Sequence, residues 1–494
     1  MTRYLTKSRF KLAVECPTKL FYTSKDALYR NLKQEDTFLQ ALADGGFQVG
    51  KMATMLYPQG IEITARSNTE AEQQTRDLLS QHDDITLFEP AIRFENLFIR
   101  IDILIKRGNH FELIEVKAKS YNSEDPKIAG VKTEILADML PYIQDVAFQK
   151  HVLQSAYPKA TIVSYLMMPN KAVRSTVDGL NQLFKVKRKE RSAEAMVAPN
   201  AKPAVDQSRD LLSLVPVDAY VQIVFNQGVK VGGSDHLVPL PNLARTLSEL
   251  YVKDEQAPPS LHKGCSACEF REHPSGGKRS GFHECVGAVT GMSPAEIDQG
   301  TVLDIWHYRK KDELLAQRIY RYSQVTEDHI KIKDDKDGLS RTQRQWMQVR
   351  GIPKDEQTDG FYLDRGLIGH RIESWRYPLH MIDFETAIVA LPFFKGMRPY
   401  ETIAFQYSHH VIEADGSVHH AGQFLLAEPG VFPNFEFIRA LKRDLERDRG
   451  TIFRWAVHEN SVLNQIARQL AEVESPPDDR QELLDFITQV TKGG

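Results

Sequence analysis

Hydrophobic residues follow helical and alternating patterns that predict a mixed α/β unit in the first third of the chain. Apolar positions recur at helical spacing in residues 37–56 and 68–82. Residues 85–106 then alternate apolar and polar positions in FENLFIRIDILIK, a pattern typical of an extended strand. A second strand in FELIEVKAK, an amphipathic helix at residues 132–156 and a third strand in ATIVSYLMM complete the pattern. This order predicts a mixed sheet flanked by helices.

The pattern changes twice further along the chain, which predicts three units. Residues from about 293 to 349 are polar with helical spacing, so we expect a helical connector at residues 291–370. A new apolar strand begins near Tyr377 and opens a C-terminal α/β unit at residues 371–494. The first unit is then residues 1–290. At 494 residues the chain is long enough for each unit to bury its own core.

Two of the predicted strands lie on either side of Gly108-Asn109, a dipeptide that favours a tight hairpin turn. Symmetric pairing about this turn places Asp102 opposite Glu115, with their Cβ atoms about 4.5–5.5 Å apart. Two carboxylates placed face to face repel unless a cation lies between them, and Mg²⁺ or Mn²⁺ prefers carboxylate oxygen. Strand alternation puts Lys117 on the same face, where its ammonium group can orient a water molecule or offset charge on a phosphate.

The alternative for this hairpin is an ordinary amphipathic pair of strands with polar residues facing outward. A Glu-x-Lys pattern alone is common and weak. Asp102, however, lies within the apolar run FIRIDILI, where a single carboxylate carries a desolvation cost unless it is paired or bound to a metal. That position favours the metal-site interpretation.

The motifs IDIL, ELIEVKAK and DVAFQKHVLQ resemble those of the PD-(D/E)xK nucleases, specifically the RecB-like branch that includes CRISPR adaptation exonucleases with iron–sulfur clusters. The resemblance implies a restriction-endonuclease-like fold, metal binding by Asp102 and Glu115, water activation by Lys117, and support from Gln149. Glu89 resembles a further acidic position of such cores. Two positions depart from the branch: Leu153 stands where a Tyr is usual, and Gly50 or Lys51 stands where a His is usual.

The chain has four cysteines: Cys16 near the N-terminus, Cys265 and Cys268 in CSAC, and Cys285 in FHEC. One N-terminal Cys and three at the end of the core resemble the cluster-binding pattern of the iron–sulfur RecB-like nucleases, which implies a [4Fe-4S] cluster. Four thiolates suit such a cluster chemically, and closing so long a loop would stabilise the domain. Structural zinc is the alternative, with His262 or His283 able to replace a thiolate. Unligated buried thiols are a third possibility.

The C-terminal segment YPLHMIDFETAIVALPFF is an apolar strand that carries Asp383 and Glu385 on one face. It resembles the opening motif of DnaQ-like exonucleases on the ribonuclease H fold, and the resemblance implies that these two carboxylates bind metal. The strand FQYSHH and the helix after FRWAVHEN fit that sheet. A later acidic residue is not clear among His458, Glu459 and Asn460, so we expect a partial, ribonuclease H-like domain, either truncated or serving as a binding platform. The whole combination resembles a bacterial family of uncharacterised proteins.

Net charge is −3, so any attraction to nucleic acid has to come from local patches. The basic stretch KVKRKERSAEAMVAPNAKPAV is such a patch and is expected to be an exposed insertion, although most runs of this kind are simply solvated loops. The sequence contains no apolar run long enough to cross a bilayer, and its N-terminus is unlike a secretory signal, so we expect a cytoplasmic protein without membrane partners.

The expected function is that of a divalent-metal-dependent DNA nuclease, an exonuclease acting on single strands or duplex ends in repair or defence. Two alternatives stay open: a catalytically inactive nucleic-acid-binding or scaffold protein on a nuclease fold, and a nuclease that acts on RNA.

Overall fold

The computed structural model describes residues 3–34, 37–130, 134–189, 192–234, 236–272, 276–335, 338–353, 357–358 and 360–492. It is a mixed α/β protein, as the sequence predicts. Within the described residues, no helix combines the length and the apolar composition that crossing a bilayer requires.

The first unit contains a large mixed sheet, a smaller sheet and the helices that cover them. Its elements are β1 (Leu5–Thr6), α1 (Lys7–Glu15), α2 (Lys19–Tyr22), α3 (Thr37–Met55), β2 (Ile61–Glu62), α4 (Asn68–Gln81), β3 (Asp84–Phe88), β4 (Ala91–Phe94), β5 (Leu97–Arg100), β6 (Ile103–Arg107), β7 (His110–Val116), α5 (Leu140–Ala156), β8 (Thr161–Pro169), β9 (Phe184–Lys189), β10 (Ser192–Val197), α6 (Ala201–Gln207), β11 (Leu212–Pro216), α7 (Asp218–Gln227), β12 (Val229–Lys230), β13 (Leu237–Val238) and α8 (Leu240–Lys253).

The large sheet has the strand order β11-β8-β7-β6-β3-β2, and both of its faces are buried. The pairs β3–β6, β6–β7 and β8–β11 are antiparallel, whereas β7–β8 and β2–β3 are parallel. Leu104 and Leu113 pack on one face into the core formed with α1 and α5. Ile103 and Ile114 pack on the other face with Met52 of α3. Strands buried on both faces explain why IDILI is almost continuously apolar.

The predicted single strand at residues 85–106 is wrong. It divides into β3, β4, β5 and β6, because the chain turns at Glu89 and Glu95, which have left-handed backbone angles (φ 54° and 51°). Strands β4 and β5 join β1 in the smaller sheet, whereas β3 and β6 stay in the large one. The alternating pattern identified strand residues but carried no sign of the two turns.

One further prediction needs correction. The helix expected at residues 132–156 begins at Leu140, since Pro141 suits only the first turn of a helix. The basic stretch, expected to be an exposed insertion, has many exposed residues and a regular structure. Its residues form the antiparallel hairpin β9–β10 and then α6, and Arg188 of the hairpin pairs with Asp44 of α3 at 2.9 Å. The helices predicted at residues 37–56 and 68–82 are confirmed as α3 and α4.

The middle of the chain is helical and has a core of its own. It contains α9 (Gly281–Thr290), α10 (Pro294–Asp298), α11 (Lys311–Ala316), α12 (Arg341–Arg350), β14 (Gln357–Thr358), β15 (Phe361–Tyr362) and α13 (Arg365–Glu373), with short 3₁₀ turns between them. Phe282 and Val286 of α9 pack with Ile305 and Leu314. This core therefore crosses the predicted boundary at residue 290.

The C-terminal unit is a four-stranded sheet with three helices. Its elements are β16 (Leu379–Ile388), β17 (Thr402–Ile412), β18 (Val418–Leu425), α14 (Asn434–Leu445), β19 (Thr451–Phe453), α15 (His458–Glu472) and α16 (Arg480–Lys492). The strand order is β18-β17-β16-β19, antiparallel except for the parallel pair β16–β19. Phe384, Phe437 and Ile466 contribute to a core between the sheet and the helices.

The loop between β16 and β17 joins the C-terminal unit to the first unit. Leu391 is fully buried in the same core as Ile103 of the large sheet. The backbone N–H of Ser175 donates to the carbonyl of Met397 at 2.7 Å. The hydroxyl of Tyr400 donates to the carbonyl of Ala118 at 2.7 Å. This contact reaches the residue that follows Lys117.

Candidate active site and cysteine cavity

The hairpin β6–β7 has the register that its turn predicts. Arg107 pairs with His110 across the turn, where Gly108 takes a left-handed φ of 57°, and the pairing continues to Ile103 opposite Ile114. Asp102 lies just before β6, at the next step of this register. Its Oδ2 accepts a hydrogen bond from the backbone N–H of Val116 at 2.6 Å, which fixes the carboxylate beside the end of β7.

Glu115 is the centre of the cluster, with only 1% of its side chain exposed. Its Oε1 lies 2.6 Å from the ammonium group of Lys117. Its Oε2 accepts a hydrogen bond of 2.8 Å from Nε2 of Gln149, which is fully buried on α5. The structure thus brings the four residues predicted to be catalytic, Asp102 included, to one place at the C-terminal end of β7, an interior strand of the large sheet.

Two residues in this cluster were missed by the sequence analysis. The ammonium group of Lys7, the first residue of α1, lies 2.6 Å from Oε1 of Glu115 and 3.9 Å from Oδ1 of Asp102. Asp145, one turn before Gln149 on α5, lies 3.2 Å from the ammonium group of Lys117. The spacing of Asp145 and Gln149 in DVAFQ was a usable signal for Asp145. For Lys7 the sequence offered none, because its contact spans more than a hundred residues.

Burial and neighbouring charges shift the pKa values of Asp102 and Glu115 in opposite directions. Burial first, and then the charge of Glu115, raises the pKa of Asp102. Burial alone would also raise the pKa of Glu115, but Lys7 and Lys117 outweigh it and lower that pKa. For Lys117 the attraction of Glu115 and Asp145 outweighs burial and raises the pKa, so the side chain is a permanent cation. Carboxylates whose pKa values are shifted in opposite directions are a feature of functional sites.

The remaining positions of the predicted core lie at varying distances from this cluster. The backbone N–H of Glu89 donates to the carbonyl of Asp102 at 3.2 Å. Burial raises the pKa of Glu89, against the attraction of Lys7. Leu153 is fully buried in the core, and Lys51 pairs with Glu62 at 3.4 Å, so neither position adds a polar group to the cluster.

The four cysteines line one cavity of about 380 Å³ between the N-terminal segment and the helical middle of the chain. Cys16 caps the C-terminus of α1 and Cys285 lies on α9. Cys265 and Cys268 lie in the turn before α9, and all four are free thiols. Cys16 is far from the other three cysteines in the sequence, and the fold brings it to the same cavity.

Burial keeps the thiols of this cavity in their protonated form. Burial raises the pKa of Cys268 to about 12 and that of Cys285 to about 11, so the thiols stay protonated unless a cation offsets the charge. His262 also lines the cavity, whereas His283 bonds to Ser280 and to Asp298 at 2.7 and 2.9 Å. Across the described ranges, no three His, Cys, Asp or Glu side chains are placed closely enough to hold a single metal ion.

Asp383 and Glu385 of β16 are both exposed on one face of the C-terminal sheet. Ile382 and Phe384 alternate with them and line a cavity of about 310 Å³ on the other face, together with Glu459. Glu459 is buried, and within the part of the chain that the structure describes its Oε2 has no hydrogen-bond partner. The predicted metal pair and Glu459 therefore lie on opposite sides of the strand.

A buried histidine pair lies in the same sheet and was also missed. Nδ1 of His380 lies 2.9 Å from Nε2 of His409, and Nε2 of His380 lies 2.9 Å from Oδ1 of Asp448. Burial, with a contribution from His380, lowers the pKa of His409. The HH dipeptide in FQYSHH was the available signal.

Comparison with known proteins reaches only the last part of the chain. A family model described as a domain of unknown function, DUF2779, matches residues 380–491. This range runs from β16 to α16 and so coincides with the C-terminal unit. No curated protein and no solved structure matches the chain.

Proposed function

We propose that the chain is a divalent-metal-dependent nuclease that hydrolyses phosphodiester bonds in DNA. The observation that carries the proposal is the cluster at Glu115, where two carboxylates share one spot with two ammonium groups and a buried amide. Buried carboxylates need a nearby positive charge, which the two lysines supply in the metal-free chain and which a divalent ion can supply between Asp102 and Glu115.

The roles follow from the contacts. Asp102 and Glu115 would hold Mg²⁺ or Mn²⁺, which supplies Lewis-acid activation of the phosphate and of a water molecule. Gln149 keeps the Glu115 carboxylate oriented through its 2.8 Å hydrogen bond. Lys117 offers a permanent positive charge to the phosphate oxygens as negative charge develops on them. Asp145 holds Lys117 in place at 3.2 Å.

The cysteine cavity supports a structural [4Fe-4S] cluster as the second metal centre. Four thiols from sequence-distant segments line one space, where a bound cation would stabilise the thiolate form of Cys268 and Cys285 against the effect of burial. With four protein ligands the centre would have no open position for hydrolysis, so its role is to tie the N-terminal segment to the helical middle. Iron and acid-labile sulfide in an anaerobic preparation are the expected result. A colourless preparation that contains zinc would replace the cluster by a zinc site and leave the nuclease proposal standing.

For the C-terminal unit we propose a binding role rather than a second nuclease site. Its strand order places β16 centrally, as expected for a ribonuclease H-like sheet, but Glu459 faces away from Asp383 and Glu385. The contact of Tyr400 with Ala118 brings this unit next to the candidate active site, where it can contact bound nucleic acid.

The experiment is a cleavage assay on labelled single-stranded DNA, duplex DNA and RNA, with and without Mn²⁺. Wild type is compared with Asp102→Ala and Asp383→Ala. We expect cleavage of DNA that is lost in Asp102→Ala and kept in Asp383→Ala, with the fold and the cysteine-bound metal unchanged in both. Binding without cleavage by wild type would make the chain a scaffold on a nuclease fold, and cleavage of RNA alone would change the substrate.

A further inference from the structure

Lys7 is the one ammonium group of the cluster that the proposed mechanism leaves without a role. It enters from α1, whereas the other members of the cluster come from the hairpin and from α5. Its side chain is 22% exposed, and its ammonium group lies nearer to Glu115 (2.6 Å) than to Asp102 (3.9 Å). It therefore occupies the space between the two carboxylates.

That space is where a bridging divalent ion would bind. The outer oxygens are already engaged, because Val116 N–H donates to Oδ2 of Asp102 and Gln149 donates to Oε2 of Glu115. The oxygens that face a shared cation are Oδ1 of Asp102 and Oε1 of Glu115, and Oε1 is also contacted by Lys117 at 2.6 Å. These two are the oxygens that Lys7 approaches.

The placement of Lys7 is fixed by packing rather than by chance rotation of a surface chain. Phe10, one turn further along α1, is 1% exposed and stacks on Phe148 of α5 with ring centroids 4.4 Å apart. Phe148 directly precedes Gln149. The same stacking that positions α5 in the cluster thus delivers the first residue of α1 to the carboxylates.

Resting on the proposed nuclease function, we propose that Lys7 is a positioning residue that holds Asp102 and Glu115 together in the metal-free protein and competes with the divalent ion for them. The ion binds only the fraction of molecules in which the ammonium group has withdrawn. If that fraction is about a tenth, the apparent affinity is about tenfold weaker than that of an uncontested site.

Competition predicts that Mn²⁺ binds more tightly when the charge of Lys7 is removed, which structural damage to the site would not produce. Lys7→Met keeps the length of the side chain and removes the charge, so Mn²⁺ should bind about tenfold more tightly, as measured by calorimetry or by the electron paramagnetic resonance signal of free Mn²⁺. Lys7→Gln should shift the affinity in the same direction, whereas Lys7→Arg keeps a competing cation and should stay near wild type. A variant that merely loosened the site would bind Mn²⁺ more weakly.

Lys150→Met is the matched control. Lys150 is also a half-buried lysine of the first unit, 18% exposed and paired with Asp218 at 2.8 Å, but it lies outside the cluster. Its Mn²⁺ affinity should equal that of wild type. Circular dichroism and the melting temperature establish that each variant is folded.

Unchanged or weaker Mn²⁺ binding in both Lys7→Met and Lys7→Gln overturns the inference, as does the absence of binding in wild type and both variants. The nuclease proposal is judged separately by the cleavage assay. Cleavage by wild type without tighter binding in the variants refutes the competition alone. Tighter binding without any cleavage supports the competition and refutes the nuclease.

Discussion

Replacing Glu115 by Gln tests the charge arrangement of the cluster before any metal is added. Glu115→Gln keeps the shape of a side chain that is 1% exposed and removes the charge shared by Lys7 and Lys117. The new amide group would face Gln149, whose Oε1 has no partner among the described residues, so Gln149 can turn over and accept from it. Turning over exchanges the unpaired Oε1 of Gln149 for an unpaired Nε2, so the number of unpaired buried polar atoms does not rise.

The expected cost comes from the two lysine contacts. Each ion pair becomes a hydrogen bond between a charged ammonium group and a neutral amide, and losing the attraction between opposite charges should cost about 1 kcal/mol per contact. Removing one partner of a fully buried ion pair costs about 3–5 kcal/mol. That cost does not apply here, because the side chains of Lys7 and Lys117 are 22% and 21% exposed and stay partly hydrated. We expect a loss of about 2 kcal/mol at pH 7.

The pH dependence has a definite sign. The folded-state pKa of Glu115 is lowered from 4.5, so its carboxylate stabilises the fold above the unfolded pKa and loses that effect as pH falls. The difference between wild type and Glu115→Gln should be largest at neutral pH and shrink below about pH 4.5.

Native-state hydrogen exchange of the β7 peptide is the suitable measurement, because a chain of several units need not unfold in one transition. A loss of about 2 kcal/mol corresponds to roughly 30-fold faster exchange at β7 in the presence of EDTA. Glu112→Gln is the control on the same strand: Glu112 pairs at 3.2 Å with Arg107, whose side chain is 66% exposed, so water screens the pair and its loss should change exchange little. Equal effects of the two substitutions, or none at Glu115, would refute the assigned charge arrangement.

Two further predictions concern the C-terminal unit. Tyr400→Phe removes the hydrogen bond to Ala118 and should cost about 1 kcal/mol. We expect faster hydrogen exchange at residues 117–121 and slower DNA cleavage. Unchanged exchange at these residues would show that the C-terminal unit does not stabilise the candidate active site. The pKa of His409 is lowered, so the folded state disfavours protonation of this side chain. The melting temperature of the C-terminal unit, measured by calorimetry, should therefore fall as pH drops below about 6.5. His409→Asn should make the melting temperature less dependent on pH.

The part of the site that could be predicted is the part fixed by local sequence. A two-residue turn and strand alternation set the register of β6 and β7, and with it the meeting of Asp102 and Glu115. The division of residues 85–106 into four strands was not predictable in the same way. It depends on left-handed turns at Glu89 and Glu95, which are residues with little preference for that conformation.

Long-range contacts account for what the sequence did not reveal. Lys7 reaches Glu115 across more than a hundred residues, through the stacking of two helices that share no local motif. The resemblance to iron–sulfur nucleases predicted that the four cysteines share one site; they line one cavity, although among the described residues no three metal-ligating side chains are close enough to hold one ion. In the N-terminal segment the sequence pattern indicated only Cys16 as a functional residue, although helix α1 also supplies Lys7 to the cluster.

Helix α1 belongs to both candidate centres. Lys7 is its first residue and Cys16 is its C-cap, so nine helical residues, a rise of about 13 Å, separate the carboxylate cluster from the cysteine cavity. Phe10 and Ala13 bury the face of α1 between the two centres, and Phe10 packs against Phe148 of α5. A change at Cys16 that displaces the helix C-terminus should therefore also alter the contact between Lys7 and Glu115. The same change at Cys268, which lies in a separate turn, should disturb the cavity and leave the carboxylate cluster in place.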